Sequence, residues 1–266
     1  MLASLKRRPE ERDMEEIRSE QTPVESARRR FLRRIAASRL WRAQVRYGIV
    51  LIAFAVLALY ARTNAYFAWD RAVAHRIQGF RTPALDALMY FVSYIGYGVI
   101  PYAIAVATFF AFLARRRRSE AYALLLSTAG SGLLNRAIKM LIARPRPAAP
   151  DVNVFRLHGG QSFPSGHVTF YVCYFGFLFF VAYALLPKRS FARRLALTLT
   201  SLMIALVGLS RVYLGAHWPS DTIGAYFLGS LWLGLSLYLY GRWKERSTFH
   251  QDEAQPVAAA TPRADE

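Results

Sequence analysis

The chain has 266 residues, 54% of them hydrophobic, and a formal charge of +18. Apolar residues fall in long runs and charges in blocks, which argues against a soluble domain and for a polytopic membrane protein with basic loops. Arg28, Arg29, Arg30, Arg33 and Arg34 would suit nucleic acid, but they lead directly into an apolar span and act there as topology signals, so no nucleic-acid partner is expected.

In chain order, residues 1–24 read as a disordered cytoplasmic tail without a cleavable signal. Residues 25–46 read as a basic amphipathic juxtamembrane helix. Its Phe31, Leu32, Ile35, Leu40, Trp41 and Val45 would lie on the bilayer, with the arginines toward anionic headgroups. A membrane domain is expected over 47–242, with its core at 85–241. Its spans are predicted at 47–61, 85–114, 120–143, 165–186, 195–213 and 221–240, against the roughly 20 residues that a crossing helix needs. Pro101 is expected to kink the second span. The small residues of 127–132 suit close helix packing in the third. Cys173, the single cysteine, excludes an internal disulfide. Residues 243–266 read as a disordered cytoplasmic tail. The expected fold is therefore all-α, a polytopic membrane bundle with six transmembrane helices.

Six spans put the N-terminal segment, the 115–118 loop, the 187–194 loop and the C-terminal segment on one side. All four are dense basic clusters, so the positive-inside rule assigns both termini to the cytoplasm. Loops 62–84, 144–164 and 214–220 then face outward. Within them Arg144 reads as a solvated or headgroup-facing charge, and Asp86, near the start of the second span, reads as structural.

Three segments at the outward ends of spans three to six carry polar residues that composition does not explain. They are Lys139 to Pro147 (KMLIARPRP), Pro164-Ser165-Gly166-His167, and Ser210 to Asp221 (SRVYLGAHWPSD). Ionisable groups at such depth are functional candidates by default. Phosphoryl transfer needs cations around the oxygens, an in-line nucleophile and a proton for the leaving group. Lys139, Arg146 and Arg211 supply charge, and arginine's planar fork suits bidentate phosphate contact. Ser165 and Gly166 would offer backbone N–H groups at a helix N-terminus, which attracts anions.

In order and spacing the three segments resemble the signatures of the type-2 phosphatidic acid phosphatase family: K-x6-R-P, P-S-G-H and S-R-x5-H-x3-D. The likeness covers about 85–241. It implies a membrane phosphatase acting on a lipid phosphate, with His217 as nucleophile forming a phosphohistidine. His167 would be the proton donor to the leaving group and later the base that activates water. Asp221, four residues past His217, would accept the other ring N–H and fix the tautomer. No cofactor and no metal are expected: two histidines and an aspartate could hold zinc, but Lys139, Arg146 and Arg211 would repel a dication.

The implied partners are the bilayer and a lipid phosphate or diphosphate: undecaprenyl diphosphate, phosphatidic acid, phosphatidylglycerol phosphate or a lipid A type. The implied location is a bacterial inner membrane, with the site facing the periplasm or outside. Two rivals accompany this reading. A phosphotransferase would use the same intermediate, and a non-enzymatic lipid-phosphate binder or transporter would use the same basic pocket. The long spans argue against the family's soluble vanadate-dependent haloperoxidases.

Overall fold

The computed structural model describes residues 31, 38, 41–155 and 159–253, with side chains described to residue 245. The chain divides into two compact units, Met1–Ile49 and Val50–Glu266. In the first, residues 41–49 are helical and mostly exposed. The tail expected at 1–24 and most of the amphipathic helix expected at 25–46 lie outside the described residues.

Eight helices make up the described chain. They are α1 Trp41–Thr63, α2 Ala68–Gln78, α3 Pro83–Tyr94, α4 Ile100–Ala114, α5 Arg118–Ile142, α6 Gly166–Leu185, α7 Phe191–Tyr213 and α8 Pro219–Glu253. Four of these, α1, α6, α7 and α8 to Glu245, are long and apolar enough to cross a membrane, and α4 is apolar but shorter. Large apolar side chains cover the outside: Val99, Tyr102 and Leu133 are 77%, 73% and 72% exposed. Water would penalise such a surface and a bilayer would not.

Three expectations need correction. The segment 85–114 is not one helix kinked at Pro101. It breaks at 95–99, where Gly98 takes φ +57, a left-handed conformation open to glycine at little cost. Pro101 then falls in the first turn of α4, where a missing N–H breaks no helical bond. The loop 62–84 is not featureless but holds α2. The last helix does not stop at the predicted 240 but runs to Glu253, into the expected tail of 243–266, and residues 254–266 lie outside the described residues.

Local chemistry sets the ends. Thr82 caps α3 by accepting the Leu85 N–H at 3.2 Å, ahead of Pro83, and Ser190 caps α7 through the Arg193 N–H at 3.2 Å. The core is built around α6, which is apolar on every face, as a central helix must be. Its Val168, Tyr171, Cys173 and Phe177 are fully buried. The small-residue patch of α5 meets α6 and α8 as its composition suggests. Ser127 donates to the Cys173 carbonyl at 3.0 Å, and Trp232 donates to the Leu126 carbonyl at 3.0 Å.

Candidate active site

α5 and α7 end, and α6 and α8 begin, at one end of the bundle. α7 and α8 are joined by a short turn and α5 and α6 by the longer 143–165 connection, and the arrangement gathers the three motif segments. After α7 the chain turns at once: the N–H groups of Ala216 and His217 return to the Arg211 carbonyl at 3.0 and 3.3 Å. His217 is thereby folded back, 2% exposed, beside the residue that ends the α7 motif.

The two edges of the His217 ring meet different groups. Nε2 lies 3.3 Å from Arg146 Nη1. Nδ1 lies 3.4 Å from Ser162 Oγ and 3.6 Å from Asp221 Oδ2. A guanidinium has donors only, so the contact assigns Nε2 as acceptor and the ring proton to Nδ1, on the carboxylate side. The expected pairing of His217 with Asp221 spans 3.6 Å, longer than a hydrogen bond. Ser162 stands between them and donates to Asp221 Oδ2, which also accepts the Trp218 N–H at 2.9 Å.

Of the three motif cations, Arg146 touches this ring. Lys139, in the last turn of α5, donates to the carbonyls of Gln161 at 2.6 Å and Ser162 at 3.1 Å. Arg146 donates to the Gly159, Gly160 and Ala216 carbonyls. Burial holds the Arg146 guanidinium below its ordinary pKa and the nearby Arg211 cation adds to this, while Asp221 opposes both. Arg211 Nη1 donates to Ser93 Oγ and to Tyr97 OH, the latter at 2.8 Å, and its guanidinium lies 5.1 Å from the centroid of the Tyr97 ring.

His167, in the first turn of α6, packs edge-on to Tyr97, with ring centroids 4.9 Å apart. Gly96 makes that seat: a Cβ there would come within 2.2 Å of His167 Cδ2. The α3–α4 break thus supports both His167 and Arg211. Ser165 and Gly166 sit at the start of α6, but the Ser165 N–H is already given to the Asp221 carbonyl at 3.2 Å, which corrects its expected role as a free backbone donor. Its buried hydroxyl has no partner among the described residues, and such a group calls for a ligand or water. A Cβ on Gly166 would meet only Asn135 Oδ1, at 3.5 Å, so packing does not require glycine there.

Arg144 reverses its expected role. It is 1% exposed and bridges Asp70 Oδ2 at 2.9 Å and Asp221 Oδ1 at 2.6 Å. Asp86 is structural as expected, accepting the Tyr213 hydroxyl at 2.7 Å. Sequence reasoning missed Asp70, Ser93, Gly96, Tyr97, Arg144 and Ser162. Only Arg144, two residues before Arg146, carried a positional signal.

Fold and site together define an all-helical chain with a histidine-centred, cation-rich cluster at one end of an apolar bundle. A model of the PAP2 superfamily matches residues 120–245. Phosphatidylglycerophosphatase B of Bacillus subtilis strain 168 is 30% identical over 181 residues, 67% of this chain and 86% of that protein. Lipid A 1-phosphatase of Rhizobium etli is 34% identical over 146 residues, 49% of this chain and 58% of that protein. The crystal structure of a transmembrane PAP2 type phosphatidylglycerolphosphate phosphatase from Bacillus subtilis matches with a TM-score of 0.63 at 27% identity, covering 75% of this chain and 96% of that one. The chain belongs to the PAP2 superfamily. Its relatives here are phosphatases of membrane lipids.

Proposed function

We propose that this chain is an integral membrane lipid phosphatase that hydrolyses a phosphomonoester or diphosphate of a lipid through a phosphohistidine at His217, without a metal. The relatives' substrates favour phosphatidylglycerol phosphate or a lipid A type. The observation that carries the reading is the His217 ring: its Nε2 meets Arg146 at 3.3 Å, and its Nδ1 faces Ser162 and Asp221.

In the proposed reaction Lys139, Arg146 and Arg211 hold the phosphoryl oxygens, joined by the Ser165 hydroxyl and the Gly166 N–H at the start of α6. His217 Nε2 attacks phosphorus and the bond to the lipid oxygen breaks. His167 gives that oxygen its proton. Water then attacks the phosphohistidine, His167 takes the water's proton, and inorganic phosphate leaves with His217 restored. Among the described residues no group of His, Cys, Asp and Glu gathers to hold a metal ion, and the motif cations can stabilise the transferring group instead.

Six crossings support a site on the outer face. α5 has 25 residues, about 37 Å at 1.5 Å per residue. Its polar Ser127, Thr128, Ser131 and Asn135 are buried, so they face the bundle and not lipid. α3 and α4 supply the remaining crossing, with irregular backbone tolerated where it lies against protein. Both termini then lie in the cytoplasm with the basic loops, and the relatives favour a bacterial inner membrane.

The test is phosphate release by detergent-solubilised protein from a panel of lipid phosphates, with His217→Ala beside it. The variant is expected to lose about 10⁴-fold or more in kcat, and activity near the parent level rejects the nucleophile. Loss of activity with chelator, restored by zinc, rejects the metal-free route. Release of phosphate with water as sole acceptor separates hydrolysis from transfer.

A further inference from the structure

The strongest charged cluster that reaches beyond the motif residues is the Asp70–Arg144–Asp221 chain. We propose that Asp70 and Arg144 are positioning residues of the reaction: Asp70 anchors Arg144, and Arg144 grips Asp221 Oδ1 so that Oδ2 stays turned toward Ser162 and His217. The inference rests on the phosphatase reading.

Every nitrogen of the Arg144 guanidinium has an acceptor. Arg144 Nη2 donates to Asp70 Oδ2 at 2.9 Å. Its Nη1 donates to Asp221 Oδ1 at 2.6 Å and to Ser220 Oγ at 2.7 Å. Its Nε reaches the carbonyls of Asn64 and Ala65 at 3.3 and 3.1 Å. Asp70 in turn holds the first turn of α8, accepting the Ser220 N–H at 2.8 Å and its hydroxyl at 2.6 Å. The Arg144, Asp70 and Asp221 side chains are all fully buried.

Stability is a poor reason to bury three charges, because well-packed apolar residues of similar volume often do as well or better. Orientation is a better one. A carboxylate free to turn about its broad terminal torsion would not keep one oxygen on the Nδ1 side of His217. With Oδ1 gripped by Arg144 and Oδ2 taken by Ser162 and the Trp218 N–H, it cannot turn. Asp70 and α2 also lie outside the 120–245 matched by the family model, so this support comes from beyond the motif core.

Charge supplies the test. The two carboxylates and one guanidinium carry a formal net charge of −1. Asp70→Asn makes it zero, Arg144→Gln makes it −2, and the pair together restores −1. Full-length protein in detergent is assayed for phosphate release from phosphatidylglycerol phosphate, with kcat, KM and melting temperature measured for each. Arg144→Gln is expected to lower kcat about 10²-fold with little change in KM, the cost of a misplaced group. Adding Asp70→Asn should return about tenfold or more of kcat, a non-additive recovery. A double variant no better than the product of the singles, or a loss that appears in KM, overturns the proposal.

Should Arg144→Gln fail to fold, near-isosteric Asp70→Asn decides alone. About a tenfold fall in kcat with little change in KM is expected, and unchanged kcat overturns it. A readout without turnover separates this inference from the phosphatase reading. ¹⁵N-histidine NMR should give one His217 tautomer in the parent, with the proton on Nδ1, and a mixture in Arg144→Gln or, if that variant does not fold, in Asp70→Asn. An unchanged tautomer overturns the relay even if the parent cleaves no lipid phosphate, an outcome that would by itself sink only the phosphatase reading.

Discussion

Two sets of charges sit at the same end of the bundle and are treated in opposite ways. Asp70, Arg144 and Asp221 are paired with one another, with ion pairs at 2.9 and 2.6 Å. The partners described for Lys139, Arg146 and Arg211 are carbonyls, hydroxyls and the His217 ring. Carbonyls and hydroxyls orient a cation. The first set is built as framework, and the second, on the phosphatase reading proposed above, is the set that would meet an anion arriving from outside.

The largest effect that can break this comparison comes from Arg146→Ala. Its Nε bonds to the Gly159 and Gly160 carbonyls are exposed, so water can replace the guanidinium there, and stability should change by less than about 1.5 kcal/mol. Activity should fall by about 10²–10³-fold in kcat/KM, the scale for one lost donor at a developing charge. Melting and steady-state assays check both. If Arg146→Ala melts far below the parent, Arg146 belongs to the framework and the two sets are not distinct.

Gly96→Ala comes next. The new methyl would stand within 2.2 Å of His167 Cδ2, so the ring or the 95–99 turn must move, and displacement on that scale costs about 10²-fold in rate. The variant also sharpens the role of His167. An aryl phosphate, whose leaving group departs without a proton, should lose much less than a lipid phosphate. Equal losses on both would mean that Gly96 supports Arg211 through Tyr97 and not the proton donor.

Much of this was legible in advance, and the reasons differ by region. α6, α7 and α8 announced themselves through long apolar runs, and the motif residues through fixed spacing. The α3–α4 break was hidden because Gly96, Tyr97 and Gly98 interrupt an apolar stretch without adding charge, and only Pro101 drew attention as a breaker. Arg144 was hidden for the opposite reason: a charge in an outward loop reads as solvated unless a distant carboxylate is known to meet it. Asp70 lies 74 residues away in sequence, on a helix whose short, mixed segment has no strong period. No local rule joins such a pair. Ser162 carried no signal at all, since its role exists only once His217 and Asp221 are brought within its reach.

The smallest expected effect tests whether burial, and not pairing as such, makes the framework. Arg71 follows Asp70 on α2, and Asp151 lies in the same 143–165 connection as Arg144. They form an ion pair at 3.3 Å with side chains 50% and 34% exposed. The same two elements are thus joined twice, once in the dry interior and once at the surface. Screening and side-chain entropy limit an exposed pair to about 0–1 kcal/mol. Arg71→Ala should leave kcat and KM unchanged and shift stability by no more than that, whereas breaking a buried pair typically costs about 3–5 kcal/mol. A loss from Arg71→Ala comparable to that of Arg144→Gln would mean that α2 is held by pairing at its surface, and the buried carboxylate would lose its claim to be what anchors the helix to the site.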